Sequence, residues 1–384
     1  MRTVYADNNA TTPTASEVVE AMLVFFTERF YNPGAISGQA NRIHIEIENA
    51  RRIVAEFLRA SNPSDITFTS CATESNNWAI FGALRANKSR RHIITSTVEH
   101  PSVIETFKTL NNDGYDVTFI DVDKNGHLDV DNLIDSIRPD TNIISLMAAN
   151  NETGVIFPIK ELSEAVKQRD PDILFHTDGT QHIGKLPINL KDDFQSIDLL
   201  SFSAHKIHGP KGVGGLFIRE ETKLAPFLFG GQQENGLRSG TENVPGIIGL
   251  AKACELAESH MNDMETVRLL RNHLETELLN LFPSAIVNGD TENRLPNTLN
   301  IAFDAIESED LLHRLQNEGV SASNGSACST GSMDYSHVLR AMKIPYKYIA
   351  GSVRFSLSRF NTTADINTII EKIPKILSDS VASS

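Results

Sequence analysis

Seven short apolar runs, most of them separated by helical patterns, constrain this fold more than any other feature of the sequence. They are Ile66–Thr69, His92–Ser96, Val117–Ile120, Ile143–Met147, Ile173–Thr177, Ile197–Phe202 and Val213–Ile218. Each is four to six residues long, the size of a buried strand. Between them, Glu74–Ala86, Ser102–Asn112 and Pro158–Gln168 carry helical spacing, and Ile43, Ile47, Ala50, Val54, Phe57 and Leu58 draw one apolar stripe. Alternating strands and helices predict an α/β fold with a mainly parallel sheet covered on both faces.

After about Gly246 the pattern changes. Two long helices, Gly246–Ser259 and Met264–Leu281, lead into a smaller α+β region. That region reads as strand Thr298–Phe303, helix Glu309–Glu318, strand Val353–Leu357 and a last helix, Ala364–Leu377, before a frayed end at Ser378–Ser384. With 384 residues the chain has room for two domains. The division read here is a large α/β domain over residues 16–258, and a small α+β domain from residues 1–15 and 259–384.

A net charge of -14 leaves no basic stripe for nucleic acid or an anionic membrane. No apolar run is long enough to span a bilayer, and no secretory signal is visible at the N-terminus. Three cysteines, Cys71, Cys254 and Cys328, are neither a disulfide framework nor a zinc site. They suit a reducing cytoplasm.

Polar residues cluster where the strands end, which is where α/β sheets bind ligands. Ser203-Ala204-His205-Lys206 closes the run Ile197–Phe202. A lysine there, among groups able to hold a phosphate, is a candidate Schiff-base lysine for pyridoxal phosphate. One strand earlier, Asp178 stands where a carboxylate would keep a pyridine nitrogen protonated, and Gln181 where it would reach the ring's phenolic oxygen. Thr73 opens a helix and can hold a phosphate with that helix's free N–H groups, a role that coexists with plain helix capping. His100, between Glu99 and Pro101, is either a ring-stacking, proton-exchanging imidazole or a capping residue. Asn151 either reaches a ring oxygen or a substrate carboxylate, or serves its turn. Thr241 can donate to a phosphate. Arg354 is the candidate fork for a substrate carboxylate, against the alternative of a solvent-facing strand arginine. Cys71 and Cys254 read as buried, inert thiols. Cys328, within Gly325-Ser326-Ala327-Cys328-Ser329-Thr330-Gly331, reads as a reactive one. Neither a G-x-G-x-x-G fingerprint after the first strand nor a G-x-x-x-x-G-K-[ST] loop is present.

Taken together, these segments resemble the pyridoxal-phosphate-dependent cysteine desulfurases of the nitrogen-fixation and iron–sulfur assembly type, in the class-V aminotransferase family. The resemblance rests on Asp7-Asn8-Asn9-Ala10-Thr11-Thr12-Pro13, Ala72-Thr73-Glu74-Ser75-Asn76-Asn77, Glu99-His100, Asn150-Asn151-Glu152-Thr153-Gly154 and Asp178 with Gln181. Ser203-Ala204-His205-Lys206, Arg238-Ser239-Gly240-Thr241, Gly325-Ser326-Ala327-Cys328 and Arg354-Phe355-Ser356-Leu357 complete it, in family order. It implies a fold-type I pyridoxal-phosphate transferase acting as a homodimer. Lys206 would be the Schiff-base lysine, Asp178 the pyridine partner, Gln181 the partner of the phenolic oxygen and His100 the stacking residue. Thr73, Ser203 and His205 would hold phosphate with Thr241 of the other subunit, and Asn151 and Arg354 the substrate carboxylate. The implied reaction converts L-cysteine to L-alanine and leaves sulfur on Cys328 as a persulfide for an acceptor such as an iron–sulfur scaffold protein. The resemblance does not assign the group that helps Cys328 lose its proton; His100 is the candidate. Gly179 stands where many relatives have alanine. The sequence also stops soon after its final helix, where housekeeping members carry a longer tail that contacts the scaffold.

Overall fold

The computed structural model describes residues 3–304, 306–324 and 335–381. Its strands are β1 (Val4–Tyr5), β2 (Ile66–Thr69), β3 (His92–Ser96), β4 (Asp116–Ile120), β5 (Thr141–Met147), β6 (Leu174–Asp178), β7 (Leu199–Ser203), β8 (Gly214–Ile218), β9 (Ile286–Val287), β10 (Thr298–Ala302), β11 (Val320–Ser321) and β12 (Ser352–Ser356). Its helices are α1 (Ser16–Thr27), α2 (Gly38–Phe57), α3 (Ala72–Ala86), α4 (Pro101–Asn112), α5 (Val130–Asp135), α6 (Ile159–Arg169), α7 (Val244–Ser259), α8 (Asp263–Leu281), α9 (Ser308–Asn317), α10 (His337–Ala341), α11 (Tyr346–Ala350) and α12 (Thr363–Val381).

The seven expected strands form one sheet in the order β2-β8-β7-β6-β5-β3-β4. Strands β7, β6, β5, β3 and β4 are parallel neighbours. Strand β8 runs antiparallel to both β7 and β2, so β2 shares the direction of the parallel set and its end opens on the same edge. The pleat decides which face each apolar residue covers. Ile94, Ile144, Leu200 and Phe217 join the core under α2 and α7. Their neighbours Ile93, Ile143, Leu199 and Leu216 join Trp78 of α3 and Phe107 of α4 on the opposite face. Both faces are buried, and the strand runs read as nearly unbroken apolar stretches for that reason.

Helix starts follow local chemistry. Ser37 caps α2 by accepting from the Ala40 N–H at 3.1 Å. Pro101 occupies the first turn of α4, where its missing N–H costs nothing. Asn243 caps α7 by accepting from the Gly246 N–H at 3.2 Å.

A second core gathers Val4, Ala6, Leu274, Leu299, Leu311, Phe355 and Ile369 from both ends of the chain. Its sheet is β12-β10-β9, antiparallel throughout, and β1 pairs beside it with β11. Val338, Leu339, Met342 and Ile349 instead pack on the large core. Helix α12 continues to Val381, past the Ser378 at which fraying was expected; this backbone keeps helical geometry beyond its last apolar stripe.

Candidate active site

A cavity of about 830 Å³ opens at the carboxyl edge of the large sheet. Nine of the eleven residues singled out from the sequence line it: Thr73, His100, Asn151, Asp178, Gln181, Ser203, His205, Lys206 and Arg354. Thr241 does not. It is exposed, two residues before the Asn243 cap of α7. Cys328 lies outside the described residues; of the flanks of its segment, the later one lines the cavity and the earlier one pairs with Arg354. The backbone of Ser323 pairs with that of Arg354, and Tyr335 and His337 are wall residues.

Parallel topology converges these groups, because consecutive strand ends lie side by side. Asp178 is the last residue of β6 and Ser203 the last of β7. His205 and Lys206 follow on a single 3-10 turn. The Lys206 amine donates to the backbone carbonyls of Asn9 and Ala10 at 2.6 and 2.8 Å. His205 sits beside the Thr11 hydroxyl at 3.1 Å, and burial, reinforced by the Lys206 charge, pushes its imidazole down to about 4. It is neutral at physiological pH.

Asp178 is buried. One carboxylate oxygen accepts from the Thr180 N–H at 3.0 Å, and the other from the Asn76 amide at 2.8 Å. Asn76, fully buried on α3, uses its Nδ2 group a second time, towards the Ser102 hydroxyl at 2.9 Å. Ser102 in turn lies 2.8 Å from His100 Nδ1, which also accepts from the Ser102 N–H at 3.1 Å. This chain of contacts assigns the His100 proton to Nε2. Burial holds the His100 imidazole below its usual range. Both readings of His100 are true at once: it is the cap of α4 and a wall of the cavity.

The phosphate end is built from open donors. No side chain caps α3, and Ala72 and Thr73 at its start face the cavity. Ser203 is 4% exposed, and its hydroxyl has no hydrogen-bond partner among the described residues. A buried hydroxyl without a partner is costly unless a ligand completes it. An uncapped helix start beside it attracts an anion through free N–H groups and the positive helix end. An amine, a buried carboxylate and an anion cradle around one cavity fit pyridoxal phosphate by the chemistry of their donors.

Arg354 is 2% exposed, so it is not a solvent-facing strand arginine. Nη2 meets the Asp7 carboxylate at 2.6 Å and Nη1 donates to the Asn151 carbonyl at 2.9 Å. A guanidinium has five N–H donors; each Nη retains one, and Nε is buried without a partner among the described residues. Arg354 lines the cavity, so this spare donor capacity suits a carboxylate bound there. The turn that carries Asn151 closes with Gly154 at φ +82°, where a Cβ would also strike Thr298 at 2.9 Å.

Two expectations need correction or addition. Cys71 is not a buried, inert thiol: it is half-buried and lines the cavity as the residue before α3. Its segment reads as apolar in sequence, but the strand-to-helix turn brings it to the open edge. Cys254 is buried as expected, and burial pushes its thiol up. Asn9, to which no role was given, is a hub. Its carbonyl accepts from Lys206 and Gln181, and its amide donates to Asn151 and Thr298.

Residues 4–369 match the family described as aminotransferase class-V. The chain belongs to this family. A cysteine desulfurase 2 of Trichormus variabilis is 46% identical over 98% of this chain and 94% of its own length. The cysteine desulfurase NifS of Azotobacter vinelandii is 47% identical over 98% of this chain and 93% of its own. Among solved structures, a NifS-like protein superposes with a TM-score of 0.92 at 39% identity, covering 98% of this chain and all of that one (100%). The α/β fold with a large, mainly parallel sheet is the fold of these class-V relatives. Among the described residues, no helix is long and apolar enough to cross a membrane.

Proposed function

We propose that this chain is a pyridoxal-phosphate-dependent cysteine desulfurase, converting L-cysteine to L-alanine with sulfur passing to Cys328. The observation that carries the reading is the meeting, in one cavity, of Lys206, Asp178, the Ser203 hydroxyl and Arg354, with Tyr335 and His337, just after the Cys328 segment, in its wall. The desulfurase names of its relatives support the choice of substrate.

Pyridoxal phosphate, when bound, supplies a protonated ring that stabilises negative charge at the substrate Cα. Asp178 would hold the ring-nitrogen proton, and Gln181 would serve the phenolic oxygen. Thr73, Ser203 and His205 would hold the phosphate. His100 would stack on the ring. Arg354 orients the substrate carboxylate with Asn151 beside it. The Lys206 amine moves the proton at the substrate Cα. The Cys328 thiolate forms an S–S bond to the substrate sulfur. The C–S bond breaks with its electron pair left on carbon, where a proton completes alanine, and the enzyme keeps a persulfide. A free thiol with a pKa of roughly 8.5 is only a few per cent thiolate near neutral pH. A proton acceptor therefore helps, and His100, whose imidazole burial holds below its usual range, is the candidate.

The working unit in this reading is a homodimer. Thr241 sits outside its own chain's cavity, near the exposed Leu228 and Phe229, the latter 79% exposed. An apolar patch beside a phosphate-binding candidate suits a second copy that completes the phosphate site. The persulfide would pass to an acceptor protein such as an iron–sulfur scaffold, in the cytoplasm, where free thiols persist.

The test is to load the protein with pyridoxal phosphate, supply L-cysteine, and measure alanine and sulfide with a thiol reductant present. Equal yields of the two are expected. Keto-acid formation with no alanine would replace the reading with an aminotransferase.

A further inference from the structure

Lys185 is a second lysine at this site, and none of the roles above uses it. It is 7% exposed and lies one turn beyond Gln181. Its amine donates to the Gln181 side-chain carbonyl and approaches the Asn9 side-chain oxygen at 3.4 Å. Among the described residues, the charged groups acting on it are Lys206 and Arg354, both cations, with no carboxylate. His182, His205 and His208 feel its charge in turn. Burial first, then those two cations, pushes the Lys185 amine well below its ordinary range. A buried amine with no counter-ion is expensive to keep, and here its strongest partner is an amide oxygen.

That partner matters because an amide has two different ends. Gln181 has one acceptor oxygen and two N–H donors. With the oxygen held by Lys185, the carboxamide cannot turn end for end without setting donor against donor. Its Nε2 group donates once, to the Asn9 carbonyl at 3.0 Å. The second N–H is left for the cavity that Gln181 lines.

We infer that Lys185 is a positioning residue that holds the Gln181 carboxamide with an N–H towards the cavity, and thereby tunes the protonation of the cofactor bound at Lys206. The inference rests on the reading of this cavity as a pyridoxal phosphate site. A donor aimed at the ring's phenolic oxygen favours the more negative, deprotonated form of the bound chromophore. Freeing the amide removes that donor and raises the pH at which the chromophore loses its proton.

The test is a pH titration of the visible absorbance of the full-length, cofactor-loaded protein. In Lys185→Met the midpoint should move upward by roughly one pH unit. In a Gln181→Ala background the same change should move it no further. A folded Lys185→Met protein with an unmoved midpoint overturns the inference. So does an equal shift with Gln181 already removed, which would mean that Lys185 acts directly. If Lys185→Met does not fold, Lys185→Ala, which leaves space instead of filling it, is titrated in its place. Failure of the unaltered chain to bind pyridoxal phosphate refutes the functional reading and this inference together. Normal binding with an unmoved midpoint refutes this inference alone.

Discussion

The two walls of the cavity are built differently. On the large-sheet wall the groups come from five strand ends: Thr73 beyond β2, His100 beyond β3, Asn151 beyond β5, Asp178 at the end of β6 and Ser203 to Lys206 at the end of β7. From the small sheet Arg354 projects from the middle of β12 and is held by Asp7 and the Asn151 carbonyl. The first wall repeats one device, in which strand direction does the positioning and each side chain needs only local caps. The second depends on a buried ion pair between residues from opposite ends of the chain. The parallel sheet makes a tolerant scaffold for several groups, and the small sheet makes a brittle clamp for one.

Mutation separates these two kinds of wall. The largest effect is expected on the sheet wall, from Lys206→Ala. Visible absorbance of the loaded protein should vanish and alanine release should fall by at least ~10²–10⁴-fold, the usual worth of a positioned acid–base group. The fold should persist, because Lys206 is itself only half-buried; circular dichroism checks this. Next comes the clamp. Arg354→Lys keeps the charge but loses the planar fork, and should lower kcat/KM for cysteine by ~10–10²-fold, mostly through KM, with the absorbance unchanged. If kcat alone falls, Arg354 is not holding the substrate carboxylate.

The two walls also differ in how far the sequence reveals them. Groups at strand ends are legible because an apolar run followed by small polar residues has one meaning in an α/β sheet; Asp178 and Lys206 were placed by that logic. Arg354 was legible as a strand residue, but its direction was not, since its partner Asp7 lies 347 residues away. Asn9 and Asn76 carried no local signal for the same reason: Asn9 meets Lys206 across 197 positions, and Asn76 meets Asp178 across 102. The opposite direction of β8 was hidden because a fully buried run reads alike both ways. Strands β1, β9 and β11, two residues each, are too short to show any period.

Asn76 extends the sheet wall into its second row. Asn76→Ala removes the donor shared by Asp178 and Ser102 and should loosen His100, lowering kcat by about tenfold. The absorbance should remain. A variant with unchanged kcat would make the sheet wall independent of its supports.

Titration of the folded protein tests the buried groups around the sheet wall. Burial depresses His176, His182 and His208 to about 4. Below the ordinary histidine value of about 6.5 the unfolded chain binds these protons and the folded one does not. Stability is therefore full above that pH and lost as pH falls towards 4. Glu99 acts in the reverse sense: burial raises it to about 8, so the folded chain holds a proton the unfolded chain has released. Its contribution declines as pH rises from the ordinary carboxylate range through 8. Urea unfolding at several pH values should show a maximum between these limbs, and Glu99→Gln should flatten the alkaline limb. The smallest effect is expected at Gly179, where a Cβ would sit 3.2 Å from the Leu200 side chain. Gly179→Ala should cost no more than about 1 kcal/mol, because Leu200 can give by a few tenths of an ångström.

The central claim is that the cavity around Lys206 delivers sulfur from cysteine to Cys328. Mass spectrometry of the loaded protein after a single exposure to L-cysteine, with peptides mapped without reductant, tests it most directly. The account predicts one extra sulfur on the peptide containing Cys328, absent from Lys206→Ala and from protein without pyridoxal phosphate. Full alanine release with the extra sulfur missing from Cys328, or with Cys328→Ala as active as the unaltered chain, would contradict it.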